Sequence, residues 1–432
     1  MLFQIPKGLY DILPYEVDQE WKLSHYWQYL ETVIRKTALD FGFKEIRTPT
    51  FEKTEVFNRG LGEATDIVSK EMYTFLDKAK RSMTLRPEGT APVMRSFIEN
   101  RLYNARKINK FFYIASMFRY ERPQSGRYRQ HHQFGVEAIG NPSFEQDAEV
   151  IDLLYELYSR LNISNLTVNL NCIGNIATRE VYKKDLTKYL EKYLKDMSEE
   201  SKIRLAKNPL RILDSKEEED QEIIKSAPSI LDYLNDDEKN HFNNLCDLLK
   251  SINIPFIIND KLVRGIDYYT KTVFEITSSD LGSQNALGGG GRYDHLLSQL
   301  KGPDLPGMGF GTGLERILQT MIKQDIVIPD NSKPFIYFVP LTSHAKKIAF
   351  NLITQLRRKE IPCDIDLNAK KINQSIKNAN LLQASHILII GEDELQTKQA
   401  QLKNMISREQ ITIEFDKIIT YITNLWREYE KV

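Results

Sequence analysis

The sequence predicts an α+β protein, in which an antiparallel-sheet domain with a helical insertion is followed by a small C-terminal α/β domain. Three observations predict it. Residues 127–140 alternate polar and apolar side chains and form one side of a strand–turn–strand pattern. A Lys/Glu/Asn-rich block occupies about 176–257, and beyond residue 335 strand-like runs alternate with helical patterns. Period-two alternation is typical of a strand with one buried face, and strand–helix alternation is typical of a separate α/β unit.

The first predicted elements are a helix and a hairpin. Apolar residues recur at helical spacing from Leu30 to Phe41 and Gly42 follows, so a helix is expected from Pro14 to about Phe41. Two strands then flank the stretch RPQSGRY, in which Gln, Ser and Gly favour a turn. This pattern predicts an antiparallel hairpin with a long tip.

The later elements set the expected domain boundaries. Residues 144–161 have a helical pattern and residues 165–172 alternate like a strand. The block at about 176–257 is interpreted as a helical insertion, and its acidic run DSKEEEDQE as a solvated helix face. The expected limits are 1–325 for the large domain, 326–334 for a polar linker and 335–432 for the small domain.

Composition bounds the class of protein. With 432 residues the chain exceeds one ordinary core, and 41% hydrophobic with 27% charged residues is typical of soluble globular proteins. Lys+Arg and Asp+Glu are equal at 59 each, so net charge indicates neither a nucleic-acid nor a membrane partner. Three scattered cysteines predict no disulfide framework or structural zinc site. We expect no signal peptide, no membrane span and a cytoplasmic location.

Two glycine clusters are candidate ligand loops. They are GGGG at 288–291 and the alternating glycines of GMGFGTG at 307–313. No G-x-x-x-x-G-K-[ST] pattern is present, and Leu314 occupies the place of the last glycine in G-x-G-x-x-G. Taken alone, the clusters predict tight turns rather than a phosphate cradle.

Charged residues in apolar contexts have two interpretations. Arg119, Arg264 and Arg316 could form structural ion pairs, or they could clamp phosphate, since a guanidinium fork matches phosphate oxygens. Glu88 and Glu137 could be buried partners of arginines or acceptors in a ligand pocket.

Aromatic and histidine side chains are less informative. Tyr268, Tyr269 and Tyr293 are interpreted as core aromatics by default, or else as pocket walls whose hydroxyls need polar partners. The histidines lack metal-ligand spacing, and His131, on the polar face of its strand, is predicted to be solvated. Serine, cysteine and histidine patterns indicate neither a nucleophile nor a protein metal cluster.

Six long motifs, in order, resemble a known family. FRYERPQSGRYRQHHQFGVEAIG resembles the second motif that defines class II aminoacyl-tRNA synthetases, and GMGFGTGLERI resembles the third. LVRGIDYYTKTVFE and ALGGGGRYD are similar to the two signatures of the histidyl-tRNA synthetase family. GEATDIVSKEMYTF and TLRPEGTAPVMR match as well, so the resemblance covers nearly the whole chain.

The resemblance implies an activity and partners. Histidine and ATP, with Mg²⁺, would give histidyl-adenylate, and the histidine would pass to the terminal adenosine of histidine tRNA. The C-terminal domain would bind the anticodon, in keeping with the reading of RNA sequence from unpaired bases. The family also implies a homodimer.

The same resemblance implies a role for each candidate residue. Arg119 and Arg264 would be the catalytic residues, holding the α-phosphate, and Arg316 would hold the γ-phosphate. The residues implied to bind histidine are Glu88, Gly89, Thr90, Arg119, Gln133, Glu137, Arg264, Tyr268, Tyr269 and Tyr293. Within that set, Glu88, Thr90 and Gln133 would receive the ammonium group, and Glu137 and Tyr269 the imidazole nitrogens. Those implied to bind ATP are Arg119, Arg127 and Arg316, and those facing the tRNA acceptor end are Arg122 and Gln124.

Two other functions remain as alternatives. A non-catalytic paralogue would regulate a histidine-biosynthetic enzyme, and such proteins usually lack the anticodon-binding domain. A generic ATP-binding module would need a phosphate loop. The complete LVRGIDYY signature and the α/β tail favour the ligase. His295 replaces a usual glycine, and DLNAKKINQS is poorer in arginine than the family pattern, which leaves the anticodon contacts open.

Overall fold

The structure is a computed structural model in which residues 3–15, 17–62, 65, 67–121, 128–266, 268–281, 286–330, 332–369 and 371–429 are described. The chain divides into a larger unit, Met1–Ile328, and a smaller unit, Pro329–Val432.

The strands of the larger unit are, in chain order, β1 (Lys44–Glu45), β2 (Phe51–Lys53), β3 (Tyr73–Leu76), β4 (Ser82–Leu85), β5 (Asn109–Phe118), β6 (Gln130–Ile139), β7 (Leu166–Cys172), β8 (Phe256–Ile258), β9 (Thr270–Ser278), β10 (Ala286–Arg292) and β11 (Gly307–Gly313). Eight of them form one sheet in the order β1-β5-β6-β11-β10-β9-β7-β8, with parallel pairing only at its two ends. The other three form a small antiparallel sheet, β2-β4-β3. The predicted α+β class with an antiparallel sheet is confirmed.

The helices of the larger unit are α1 (Ser24–Asp40), α2 (Thr54–Leu61), α3 (Thr90–Glu99), α4 (Phe144–Arg160), α5 (Ile176–Glu191), α6 (Glu199–Lys207), α7 (Glu218–Lys225), α8 (Asp236–Ser251), α9 (Leu296–Gln299) and α10 (Leu314–Lys323). Helices α5 to α8, with short 3-10 turns between them, make up the insertion between β7 and β8. Among the described helices, none has the length and apolar character that a membrane crossing requires.

The first helix begins ten residues later than predicted. The described residues before Ser24 form no α-helix: they include a 3-10 turn at Glu20–Lys22, and Leu13 pairs with the stretch around Leu23. The Leu13 N–H donates to Lys22 O at 3.0 Å, and the Ser24 N–H donates to Leu13 O at 2.8 Å. This pairing is long-range, so helical periodicity in the sequence could not exclude it. The predicted end is correct within a residue, and Gly42 adopts a φ of 78°.

Strand β6 separates two layers of core. Phe134, Val136 and Ala138 face a cluster built on α1, α4 and α10, as the alternation predicted. The opposite face carries Glu137 and Ile139, which are also buried. The polar face of this strand therefore points into a covered site rather than into solvent.

The smaller unit has its own sheet and core. Its strands are β12 (Ile336–Pro340), β13 (Cys363–Ile365), β14 (His386–Ile390), β15 (Gln399–Asn404) and β16 (Gln410–Glu414), in the order β13-β12-β14-β15-β16. Its helices are α11 (Ser343–Arg357), α12 (Ile372–Leu381), α13 (Glu392–Thr397) and α14 (Ile418–Tyr429). The first three strands in that order are parallel and the last three antiparallel, which is the predicted α/β alternation with an added hairpin.

Candidate active site

Two adjoining cavities lie over the centre of the large sheet, where β6, β11 and β10 run side by side. The inner cavity has a volume of about 200 Å³ and the outer cavity about 490 Å³. The residues that line both are Arg119, His131, Arg264, Ile266, Gly289, Gly311 and Gly313. The two cavities therefore meet at a junction that carries two guanidinium groups.

The glycine clusters form the floor of this site, and the prediction that they are tight turns is wrong. They lie in β10 and β11, which pair in antiparallel register. A Cβ at Gly290 would lie 1.9 Å from the carbonyl oxygen of Gly309. A Cβ at Gly311 would lie 1.8 Å from Gln133 Nε2. Glycine is needed here because backbone and side chains approach the strands closely, a requirement that turn statistics do not reveal.

Three tyrosines wall the inner cavity. The ring centroids of Tyr268 and Tyr269 are 4.7 Å apart, and those of Tyr268 and Tyr293 are 5.6 Å apart. All three are buried yet line the cavity, so they are pocket walls as well as core aromatics. Burial raises the pKa of each hydroxyl, which keeps all three protonated and able to donate hydrogen bonds.

Glu88 lies at the amino end of α3, on the inner cavity. One of its oxygens accepts the Thr90 N–H at 2.6 Å and the other accepts the Ala91 N–H at 2.9 Å. Both bonds satisfy helix donors that would otherwise lack a partner. Burial raises the pKa of Glu88 despite these bonds. Gly89 beside it lacks room for a side chain, since a Cβ would lie 2.3 Å from the ring of Tyr113.

Glu137 lies just behind the wall of the inner cavity, with hydroxyls rather than an arginine as its partners. Thr90 Oγ1 donates to Oε1 at 2.7 Å, and the Tyr293 hydroxyl donates to Oε2. A Cβ at Gly309 would lie 2.4 Å from Oε2, so the carboxylate abuts a residue that lines the cavity. Burial raises the pKa of Glu137 to about 8. Gln133, four residues earlier on the same face of β6, lines the inner cavity itself.

The three predicted arginines converge on the outer cavity. Arg119 Nε donates to Pro87 O at 2.9 Å, and Arg316 Nη1 donates to Ala286 O at 2.5 Å. Arg264 forms an ion pair with Glu275 at 2.7 Å. The structural and the functional interpretations of Arg264 are therefore compatible, because the ion pair holds a guanidinium that still lines both cavities.

His131 corrects another prediction. It lines both cavities instead of being solvated. Burial, with a further contribution from the charge of Arg119, lowers the pKa of His131 to about 3, so the ring is neutral. Its alternation with Gln133 and Glu137 in the strand was the signal that placed it on this face.

Other lining residues gave no usable signal in the sequence. Arg204 and Arg211 belong to the insertion and line the outer cavity, but they sit in a Lys/Glu-rich background. Tyr113 lines neither cavity but packs against Gly89, and it lies in an apolar run of β5. The predicted residues Arg122, Gln124 and Arg127 lie outside the described part of the chain, so the structure gives no position for them.

Comparison with protein families gives two matches. A family model described as histidyl-tRNA synthetase matches residues 8–317, and one described as an anticodon binding domain matches residues 335–425. The two models together span most of both units of the chain.

Individual relatives match over the whole length. A histidine–tRNA ligase of Protochlamydia amoebophila is 52% identical over 98% of this chain and 100% of that protein. One of Streptococcus mutans is 44% identical over 99% of each. Among solved structures, apo histidyl-tRNA synthetase of S. aureus is 35% identical, with a TM-score of 0.81 over 97% of this chain and 99% of that one.

Proposed function

The chain belongs to the histidyl-tRNA synthetase family, and we propose that it is a histidine–tRNA ligase that activates histidine with ATP and transfers it to the 3′-terminal adenosine of histidine tRNA. The observation that carries the proposal is the pair of adjoining cavities, one lined by tyrosines and Glu88, with Glu137 behind its wall, and the other lined by arginines. Full-length relatives of the same name support it.

The inner cavity suits the histidine side chain and ammonium group. Its volume of about 200 Å³ is below that of typical sites for larger ligands. Glu88, Thr90 and Gln133 would take the ammonium group, and Glu137 and Tyr269 would bond the two ring nitrogens. A site built from buried hydrogen-bonding groups rejects analogues that leave those groups unpaired, by as much as ~10⁴-fold.

The outer cavity suits ATP. A histidine carboxylate oxygen would form a bond to the α-phosphorus while the bond to the β-phosphate breaks and pyrophosphate leaves. Arg119 and Arg264, at the junction, would bind the α-phosphate where negative charge builds up, and Arg316 would hold the γ-phosphate. Fixed cations at such positions stabilise the transition state without reorganising. His131 lies beside Arg119 and is neutral, so it would not change the positive charge that Arg119 presents to the phosphate.

Magnesium would be held by carboxylates and by the substrate. No cluster of three metal-ligating side chains occurs among the residues with described positions. Mg²⁺ commonly takes one or two carboxylates and completes its shell with phosphate oxygens and water. Glu71, Glu121 and Glu315 line the outer cavity and provide such donors. When bound, the metal would offset charge on the phosphates.

Transfer to tRNA completes the proposed activity. A hydroxyl of the terminal adenosine would attack the adenylate carbonyl, and AMP would leave. Residues 335–425, which match the anticodon-binding model, would contact the other end of the tRNA. A cytoplasmic location and a homodimer are part of the same proposal, since both accompany this activity in the family that the motifs resemble.

The regulatory paralogue is the weaker hypothesis. The signature with Arg264 is complete, and the relatives cited above cover the C-terminal domain and carry the ligase name. The deciding experiment is ATP–pyrophosphate exchange with each of the twenty amino acids. Exchange with histidine alone, followed by charging of histidine tRNA, is expected. Exchange with a different amino acid, or none with histidine, would refute the proposal.

A further inference from the structure

The N-terminal segment, residues 3–15, is joined to the start of β6. Gly8 has a φ of 88°, and the Leu9 N–H donates to Pro6 O at 3.2 Å, which closes a turn. The carbonyl of Gly8 then accepts the N–H of Arg129 at 2.9 Å. This attachment brings Tyr10, two residues further along the segment, against Tyr128, which lines the outer cavity.

The ring of Tyr10 is held in an aromatic cluster. Its centroid lies 4.7 Å from that of Trp21 and 5.0 Å from that of Tyr128, both in edge-on geometry. Trp21 is buried, and Tyr128 lines the outer cavity. The position of the Tyr10 hydroxyl is therefore fixed by packing before any ligand binds.

Three groups converge on a single carboxylate oxygen, Oε1 of Glu315. The Tyr10 hydroxyl donates to it, the His132 N–H donates to it at 2.7 Å, and His132 Nδ1 lies 3.0 Å from it. Burial and the charge of Glu315 raise the pKa of Tyr10, so the hydroxyl keeps the proton that it donates. Bonds of this kind, with an ionised acceptor, are the strong ones.

The other oxygen of Glu315 is directed toward the site. Within the described residues, no hydrogen bond uses Oε2. A Cβ at Gly313 would lie 3.9 Å from it, and Gly313 lines both cavities. The side chain of Glu315 is only 5% exposed, and the next residue is Arg316. One oxygen thus serves the fold while the other faces the place proposed for ATP.

We propose that Tyr10 and His132 are positioning residues for ATP: by occupying Oε1 of Glu315 they aim Oε2 at the triphosphate and its metal ion. The inference rests on the proposed function of the outer cavity. A carboxylate facing a triphosphate is repelled unless a cation lies between them, so its orientation matters for ATP and not for histidine. The N-terminal segment thereby becomes part of the nucleotide site.

The test is Tyr10→Phe, which keeps the ring and removes the hydroxyl. We expect the KM for ATP in histidine-dependent pyrophosphate exchange to rise roughly tenfold, the usual scale for loss of one hydrogen bond to a charged group. The KM for histidine should stay within about twofold. Calorimetric titration should show the same selective loss of affinity for ATP with Mg²⁺. Tyr182→Phe is the matched control, because its buried hydroxyl donates to Pro228 O, in the insertion.

His132→Phe provides a second variant that leaves the N-terminal segment unchanged and removes the Nδ1 contact with Oε1, and it should give the same selective rise in the KM for ATP. It decides the question if Tyr10→Phe fails to fold. Equal rises in both KM values, or ATP affinity unchanged in either folded variant, would overturn the inference. Wild-type protein without histidine-dependent exchange would instead refute the proposed function, so the two failures are distinguishable.

Discussion

The inner and outer cavities share a floor and two arginines but differ in how they present polar groups. In the inner cavity the polar groups already bond one another, as Glu137 does with Thr90 and Tyr293. In the outer cavity, guanidiniums supply charge, held by a carbonyl or a single carboxylate. Under the proposed function, the first arrangement would select a neutral ring by hydrogen-bond geometry, and the second would select a polyphosphate by charge.

The titratable groups of the two cavities also differ in how they hold protons. Burial raises the pKa values of Glu88, Glu137 and the three tyrosines, so each of these groups keeps its proton to a higher pH than it would in water. The guanidiniums of the outer cavity remain charged at any ordinary pH. Three variants and one pH dependence can test this difference between the cavities, and they follow from the largest expected effect to the smallest.

Arg264→Ala removes a group that belongs to both cavities. We expect histidine-dependent pyrophosphate exchange to fall by about 10³-fold, the scale for losing a preorganised stabiliser of transition-state charge. Circular dichroism should show a folded protein. Arg59→Ala, which removes an exposed arginine paired with Glu55, should leave exchange unchanged. If folded Arg264→Ala exchanged pyrophosphate near the wild-type rate, Arg264 would not be a stabiliser of the transition state.

Glu137→Gln tests the inner cavity alone. The nitrogen of an amide cannot accept a hydrogen bond, so the side chain proposed to bond the histidine ring would lose its bond from either Thr90 or Tyr293. We expect the KM for histidine to rise by about 10²-fold while the KM for ATP stays within about twofold. Exposed Glu156→Gln serves as control. Equal effects on both substrates would show that the two cavities do not select separately.

Gly311→Ala perturbs the floor beneath Gln133. The added methyl would overlap Nε2 of Gln133, at 1.8 Å, and this flexible end must move. We expect roughly a tenfold rise in the KM for histidine, because a small displacement of a binding group has a large effect. Gly265→Ala is matched to it, since a Cβ at Gly265 meets nothing within 4 Å. Equal KM values for histidine in Gly311→Ala and Gly265→Ala would contradict the close approach of Gln133 to Gly311.

The pH dependence of stability gives the smallest effect. Burial raises the pKa of Glu137 from 4.5 to about 8, so between these values the folded state holds a proton that the unfolded state has lost. The contribution of Glu137 to the free energy of unfolding is therefore largest below pH 4.5, and it decreases as the pH rises toward about 8. Between about pH 5 and pH 8, the Tm of wild type should fall by a few degrees more than that of Glu137→Gln. Parallel Tm curves would contradict the raised pKa.

Local patterns in the sequence predicted some parts of the structure well. Alternation placed Phe134 and Val136 in the core and Gln133 and Glu137 on the opposite face, because a strand's period is fixed by its backbone. Motif resemblance predicted that Arg119, Arg264 and Arg316 serve one site, and they line one cavity. Their roles in binding and catalysis remain predictions.

What the sequence could not reveal depends on distant contacts. The glycines of β10 and β11 carry the same local signal in a strand as in a turn, and only the neighbouring backbone distinguishes the two. His131 seemed solvated until the elements that cover it were in place. Pairing of Leu13 with the stretch near Leu23 delayed the first helix. Each of these outcomes is decided by residues far along the chain.

The glycine floor has a consequence for the thermodynamics of binding. Where β10 and β11 line the cavities, the surface is largely paired backbone, which has no rotamers to freeze when a ligand arrives. Glycine loses more conformational entropy than other residues, but it loses it when the protein folds. Under the proposed function, histidine and ATP would therefore meet a surface whose ordering is already complete, and their contacts with it would carry little further entropic penalty.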